Sequence, residues 1–195
     1  MKLIFATNNR HKIDELRPLI TGEFELITLR EAGIDIDIPE PHDTLEANAT
    51  HKARTIFDMT GTNCFSEDTG LEVSALDGAP GVKSARYAGD NRSSDDNIDL
   101  LLSNLAGKED RSAQFRTVIS LLIDGQETQF EGICKGHITA AQKGAEGFGY
   151  DPVFIPDGAA KTFAEMSRAE KAQYSHRAKA TEKLVAFLNT YKINH

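Results

Sequence analysis

Long apolar runs are absent from this 195-residue chain, so no membrane-spanning helix and no membrane partner are expected. Cysteine is scarce. Cys64 and Cys134 lie far apart and match no metal-ligand spacing, which predicts reduced, structural thiols in a cytoplasmic protein. No secretory leader is expected either: after Lys2 only Leu3-Ile4-Phe5-Ala6 is apolar, which is too short for a signal core and reads as a first strand. The sequon Asn48-Ala49-Thr50 is then expected to carry no sugar. Basic excess is missing, with 22 Lys and Arg against 30 Asp and Glu and a formal charge of −8. That balance argues against a nucleic-acid partner. It leaves room for a small polyanion, which needs only a few local cations, backbone amides and a divalent metal. Repeats, low-complexity stretches and Pro-, Gly- or Ser-rich linkers are also absent.

What is present alternates between strand and helix patterns. Lys2–Ala6 has strand length, and Ile13, Leu16 and Ile20 follow at helical spacing, capped by Asn8 or Asn9. Pro18 is expected to bend that helix or end it early. Phe24–Leu29 alternates like a strand. Asp43-Thr44-Leu45-Glu46 resembles a capping box before a helix bearing Leu45, Ala49, Ala53, Ile56 and Phe57, which Gly61 stops. Asn63–Glu67 reads as a short strand running into Asp68-Thr69-Gly70, with Leu71–Ala75 resuming. Ser94 caps a helix carrying Ile98, Leu101, Leu102 and Leu105. Gln114–Ile123 and Thr128–Ile138 flank Asp124-Gly125, a hairpin signal. Ser167-Arg168-Ala169-Glu170 is a second capping box, and Ser175 begins a last helix with Leu184, Val185, Phe187 and Leu188 facing inward. Interleaved strands and helices with one long hairpin predict an α/β fold, helices packed around a twisted mixed sheet.

Four segments carry chemistry. Thr7-Asn8-Asn9-Arg10-His11-Lys12 joins a strand to a helix start, where amides and cations favour phosphate. It lacks the Walker A glycines, and it reads equally as a polar cap with solvated basic residues. Glu67-Asp68 follows a strand, and Glu40 sits in the loop Ile38–Pro41; such carboxylates suit magnesium, or orient an attacking water. Asp68-Thr69-Gly70 also mimics the aspartic-protease triplet, but a second copy is missing and the α/β pattern is wrong for it. Gly147-Phe148-Gly149-Tyr150-Asp151-Pro152 offers close backbone approach and flat faces for a base, or else a tight turn with its aromatics in the core. Lys171 can reach a phosphate, while Ser175-His176-Arg177 supplies donors for a base carbonyl or forms a polar helix junction. Lys52 shares a helix face with Asn48 and points at phosphates or forms an exposed ion pair.

In order along nearly the whole chain, several motifs resemble the non-standard purine nucleoside triphosphate pyrophosphatases, also called inosine triphosphate pyrophosphatases. They are Phe5–Asn9 with Lys12, Thr44–Ala49 with Lys52-Ala53, Glu67–Leu71, Gly78–Val82 with Ser84–Tyr87, Gly147–Pro152, and Glu170-Lys171 with Ser175–Arg177. The resemblance implies one domain over 1–195, an elongated mixed sheet with two lobes and the active-site cleft between them, and a homodimer. It implies conversion of inosine, deoxyinosine or xanthosine triphosphate to the monophosphate plus pyrophosphate. Thr7, Asn8, Asn9, Arg10, His11 and Lys12 would bind the triphosphate. Glu40 and Asp68 would hold Mg2+, with Asp68 also the general base. Thr69, Phe148, Gly149, Tyr150, Asp151, Lys171, His176 and Arg177 would line the nucleotide site, with Lys52 also among the substrate-binding residues. The chain departs from the family pattern in its first loop, where Asn8 and His11 replace the usual glycines. It departs again at Glu67-Asp68-Thr69-Gly70, where many relatives have Asp-Asp-Ser-Gly. Residues between Ile36 and Asp43, Glu40 included, lie in a variable stretch. A Maf-type pyrophosphatase and a non-catalytic nucleotide sensor are the rival readings.

Overall fold

The computed structural model describes residues 1–20 and 24–191. Its strands are β1 (Lys2–Phe5), β2 (Glu25–Thr28), β3 (Cys64–Val73), β4 (Pro80–Gly81), β5 (Ser112–Ile123), β6 (Gln126–Ile138) and β7 (Phe154–Pro156). Its helices are α1 (Arg10–Leu16), α2 (Leu45–Thr60), α3 (Ser94–Asn104), α4 (Arg168–Tyr174) and α5 (His176–Thr190). The sheet runs β2-β1-β3-β5-β6-β7, with β4 paired to β3. β2, β1 and β3 are parallel, whereas β4 on β3 and β7 on β6 are antiparallel. The mixed α/β sheet anticipated from the sequence is therefore present.

The chain divides into two compact units. The first holds Met1–Asp68, Thr117–Gly132 and the chain from Arg177 onward; the second holds Thr69–Arg116 and Ile133–His176. In the first unit, strand alternation sorts the apolar residues to two faces. Leu3, Phe5 and Phe65 pack with Leu16 of α1 and with Ala180, Leu184 and Leu188 of α5. Ile4, Ala6 and Cys64 pack with Ala53 and Ile56 of α2. Strands buried on both faces read as continuous apolar runs, which is why Leu3-Ile4-Phe5-Ala6 shows no alternation. The second unit has its own core around Leu71, Ile98, Leu101, Phe115, Phe154 and Phe163.

Several boundaries differ from expectation. Pro18 does end α1 early: the helix stops at Leu16, and Ile20 reaches the core from outside it. Asn9 is the cap of α1. The capping box at Asp43 does not form. Thr44 is the cap, its hydroxyl accepting from the Ala47 amide, so Glu46 falls one position short of closing the box. Ser93, not Ser94, caps α3. The largest correction concerns β3, which runs unbroken from Cys64 through Asp68-Thr69-Gly70 to Val73. Gly70 permits this, because a Cβ there would lie 2.6 Å from the Gly81 carbonyl oxygen on the paired strand. Neither cysteine is in a disulfide and both are buried; burial pushes the Cys64 thiol up to about 12.

Gly70→Ala is therefore expected to lower stability by about 1–3 kcal/mol, because backbone rather than a yielding side chain opposes the new methyl. Urea unfolding checks this, and an unchanged midpoint would show that β3 and β4 can part without cost.

Candidate active site

The strand order of the first unit positions its polar residues. β1 lies between β2 and β3, so the chain leaves β1 to one side and later returns to the other. In parallel sheets the crevice at the carboxyl ends of strands flanking such a reversal is where ligands collect. Here that end carries Thr7–Asn9 after β1, the segment containing Glu40 between β2 and α2, and Glu67-Asp68 within β3. The Thr7 hydroxyl accepts from the Asn9 amide at 3.1 Å, and Asn9 Oδ1 accepts from the His11 and Lys12 amides at 3.0 and 3.4 Å. Those two side chains shape the turn. Asn8, Arg10 and His11 are exposed, and Lys12 is half-buried.

Consecutive strand residues point to opposite faces, so Glu67 and Asp68 part company. Glu67 enters the α1/α5 face. Lys12 Nζ lies 3.0 Å from its Oε1, and Arg177 Nε lies 2.9 and 3.0 Å from its two oxygens. Arg177 Nη1 also donates to Glu15 at 2.6 Å. Burial alone would push the Glu67 carboxyl up; the Arg177 guanidinium and Lys12 ammonium outweigh it and hold it at about 2. Glu15 stands three residues after Lys12 on α1, a same-face spacing that could have flagged it in the sequence.

Asp68 enters the α2 face in step with its neighbours. Cys64 Sγ donates to the Ala53 carbonyl, Ser66 Oγ to the Ala49 carbonyl, and Lys52 Nζ donates to Asp68 Oδ1 at 3.2 Å. The same ammonium donates to Glu40 Oε1 at 2.6 Å. Lys52 is 6% exposed, so the lysine of these ion pairs is buried rather than exposed. Burial lowers its pKa, but the charges of Asp68 and Glu40 more than reverse that. Burial raises Asp68, Lys52 partly opposes the rise, and Glu40 adds to it. Asp68 Oδ2 is buried and accepts no hydrogen bond from the described residues. Asn48, whose side chain both accepts from the His42 amide and donates to the His42 carbonyl, ties the segment after Glu40 onto α2. Sequence spacing put Asn48 on the face of Lys52 without showing this task.

No group of three or more His, Cys, Asp or Glu among the described residues could hold a metal. Magnesium asks for less, taking one or two carboxylates and completing its shell with phosphate and water. Two carboxylates converging on one lysine, one with a buried oxygen lacking a donor among the described residues, fit such a cation.

In the second unit, Asp151 Oδ2 accepts from the Phe148 amide at 2.9 Å and from Lys171 Nζ at 2.8 Å. Gly147 has φ 80°, and a Cβ there would meet Asp151 Oδ2 at 2.1 Å, so a glycine is required. Lys171 Nζ lies 4.9 Å from the Phe148 ring centroid. Phe148 and Gly149 are half-buried, whereas Tyr150 belongs to the core, its hydroxyl donating to the Ser84 carbonyl at 2.8 Å. Of the two aromatics, Phe148 is thus the less buried. His176 is buried and stacks on Phe115, with centroids 4.7 Å apart. Thr69 is half-buried on β3.

Residues 3–187 match the Ham1 family model. The chain belongs to the Ham1 family. It is 48% identical over 187 residues to the dITP/XTP pyrophosphatase of Flavobacterium psychrophilum, covering 96% of this chain and 98% of that one. It is 50% identical over 188 residues to the dITP/XTP pyrophosphatase of Porphyromonas gingivalis, covering 96% and 97%. The Ham1 protein of Staphylococcus aureus superposes with a TM-score of 0.91 at 38% identity, covering 98% of this chain and all of that one.

In this Ham1 chain, removing the charge of Glu67 would leave Arg177 and Lys12 against a neutral amide. Glu67→Gln is expected to lose about 3 kcal/mol of stability, the usual cost of breaking a buried pair. Urea unfolding of the variant measures it; a loss near zero would mean that Glu15 alone satisfies Arg177.

Proposed function

We propose that this protein hydrolyses non-standard purine nucleoside triphosphates, those of inosine, deoxyinosine and xanthosine, to the monophosphate and pyrophosphate. The observation that carries the reading is Asp68: a buried carboxylate, raised by its surroundings, with one oxygen held by Lys52 and the other without a donor among the described residues. The dITP/XTP pyrophosphatases of F. psychrophilum and P. gingivalis support the same reaction at 48% and 50% identity. The proposal includes a single domain over residues 1–195 acting as a cytoplasmic homodimer, on the strength of the motif resemblance.

Glu40 and Asp68 are the ligands proposed for magnesium, which when bound supplies charge neutralisation at the phosphates. Asp68 takes the proton of the attacking water as general base. The water oxygen bonds to the α-phosphorus as the bond to the bridging oxygen breaks, and pyrophosphate departs with that electron pair. Lys52 keeps Asp68 ionised in its buried setting and lends positive charge to the phosphates. Thr7 to Lys12 bind the triphosphate through backbone amides and cationic side chains. Thr69, Phe148, Gly149, Asp151, Lys171, His176 and Arg177 contact the remainder of the nucleotide, while Tyr150 holds their loop from the core. Positioning and charge stabilisation of this kind supply most of the acceleration in phosphoryl transfer. Selectivity follows from the base edge. Donors that meet the carbonyl of hypoxanthine or xanthine face an amine in adenine and lose their partners, a penalty that binding cannot recover.

The experiment offers inosine, xanthosine, guanosine and adenosine triphosphates with and without magnesium, and assays pyrophosphate and orthophosphate separately. Magnesium-dependent pyrophosphate release, strongest with inosine and xanthosine, is expected; orthophosphate alone would place the cut at the terminal phosphate and defeat the reading. Asp68→Asn is expected to reduce turnover by about a hundredfold or more while the unfolding midpoint moves little. Near-normal turnover would remove Asp68 from its role.

A further inference from the structure

The segment Gly78–Tyr87 carries one of the sequence motifs, yet none of its residues is among those proposed to touch metal or substrate. Its Ser84 is 9% exposed and bonds in two directions. The side-chain oxygen accepts from the Leu71 amide at 2.9 Å and donates to the Gly81 carbonyl at 2.6 Å. The main-chain carbonyl accepts from the Tyr150 hydroxyl at 2.8 Å. One residue thus grips the stretch of β3 just after Thr69-Gly70 and the loop Gly147–Asp151. Asn97 of α3 secures the turn itself: Oδ1 accepts from the Ala88 amide at 2.7 Å, and Nδ2 donates to the Ser84 and Ala85 carbonyls at 3.4 and 3.2 Å. Asn97 is 4% exposed. The approach is tight at both ends, since Gly70 has no room for a Cβ beside Gly81, nor Gly147 beside Asp151.

We propose that Ser84 is a positioning residue for nucleotide recognition, fixing Thr69-Gly70 and the Phe148–Asp151 loop at one separation through its hydroxyl and its carbonyl. The inference rests on the proposed function, in which both segments contact the nucleotide. Catalytic proton transfer stays with Asp68, so loosening the brace should weaken binding more than chemistry. Site groups displaced by a fraction of an ångström lose their hydrogen bonds to a bound base before the fold is lost.

The test measures KM, kcat and thermal midpoint with inosine triphosphate for Ser84→Ala, Ser84→Thr, Tyr150→Phe and the Ser84→Ala/Tyr150→Phe double variant. Ser84→Ala and Tyr150→Phe are each expected to raise KM by about fivefold or more, well beyond any fall in kcat. Ser84→Thr keeps the hydroxyl and restores KM. Because both bonds belong to one brace, the double variant should raise KM little beyond the larger single effect. A lowered midpoint with unaltered KM would reduce Ser84 to a structural role and overturn the proposal, as would multiplicative effects in the double variant. Should Ser84→Ala not fold, Tyr150→Phe, which removes a single oxygen, decides the KM question. A wild-type protein that turns over no purine triphosphate overturns the proposed function instead. Amide hydrogen exchange then judges Ser84: faster exchange at both 69–71 and 147–151 in Ser84→Ala upholds the brace, and unchanged exchange overturns it.

Discussion

A carboxylate removed from water must be neutralised where it stands, and the first unit is organised by that constraint at Glu67. Its side chain has no solvent exposure, and it draws Lys12 from α1 and Arg177 from α5 onto β3. Two helices far apart in sequence are thereby fixed to one strand by charge as well as by the apolar packing of Leu16, Phe65, Ala180 and Leu184. Apolar packing tolerates sliding; a carboxylate clamped by two cations does not, and breaking such a pair costs far more than forming it yields. Lys12 and Arg177, both assigned to the nucleotide by motif, are consequently held in defined places.

The pleat of β3 then separates two tasks that adjacent acids would otherwise share. Glu67 faces its cations and is locked in the ionised state. Asp68, one residue on, faces α2, where a single lysine serves both it and Glu40. One acid is thus held down in pKa and the other up, by environment alone, which is the pattern that divides structural from reactive carboxylates in hydrolytic sites. In the second unit the Asp151–Lys171 pair and the glycine at position 147 set the loop bearing Phe148.

Much of this was legible in the sequence because the signals were local. The hairpin at Asp124-Gly125, the capping box at Ser167, the stop at Gly61 and the early end of α1 before Pro18 each follow from a few residues. The motif order was enough to indicate the family. What the sequence hid was pairing at long range. Asp68-Thr69-Gly70 looked like a break between two strands, because glycine in a strand usually marks one; only the approach of Gly81 explains an unbroken β3. Lys52 could not be told from a solvated lysine until Glu40 and Asp68 were seen around it. Tyr150 looked like a platform for a base, but its hydroxyl is spent on Ser84 within the core, leaving Phe148 as the half-buried aromatic of the loop. The partnership of Glu67 with Arg177 spans 110 positions, and no periodicity reports it.

In the proposed reaction the attacking water bonds to the α-phosphorus rather than the β-phosphorus. Hydrolysis of inosine triphosphate in oxygen-18-labelled water, followed by mass spectrometry of both products, tests it most directly. The label is expected in inosine monophosphate and not in pyrophosphate. Label in the pyrophosphate would mean attack at the β-phosphorus and would contradict the placement of the reacting water.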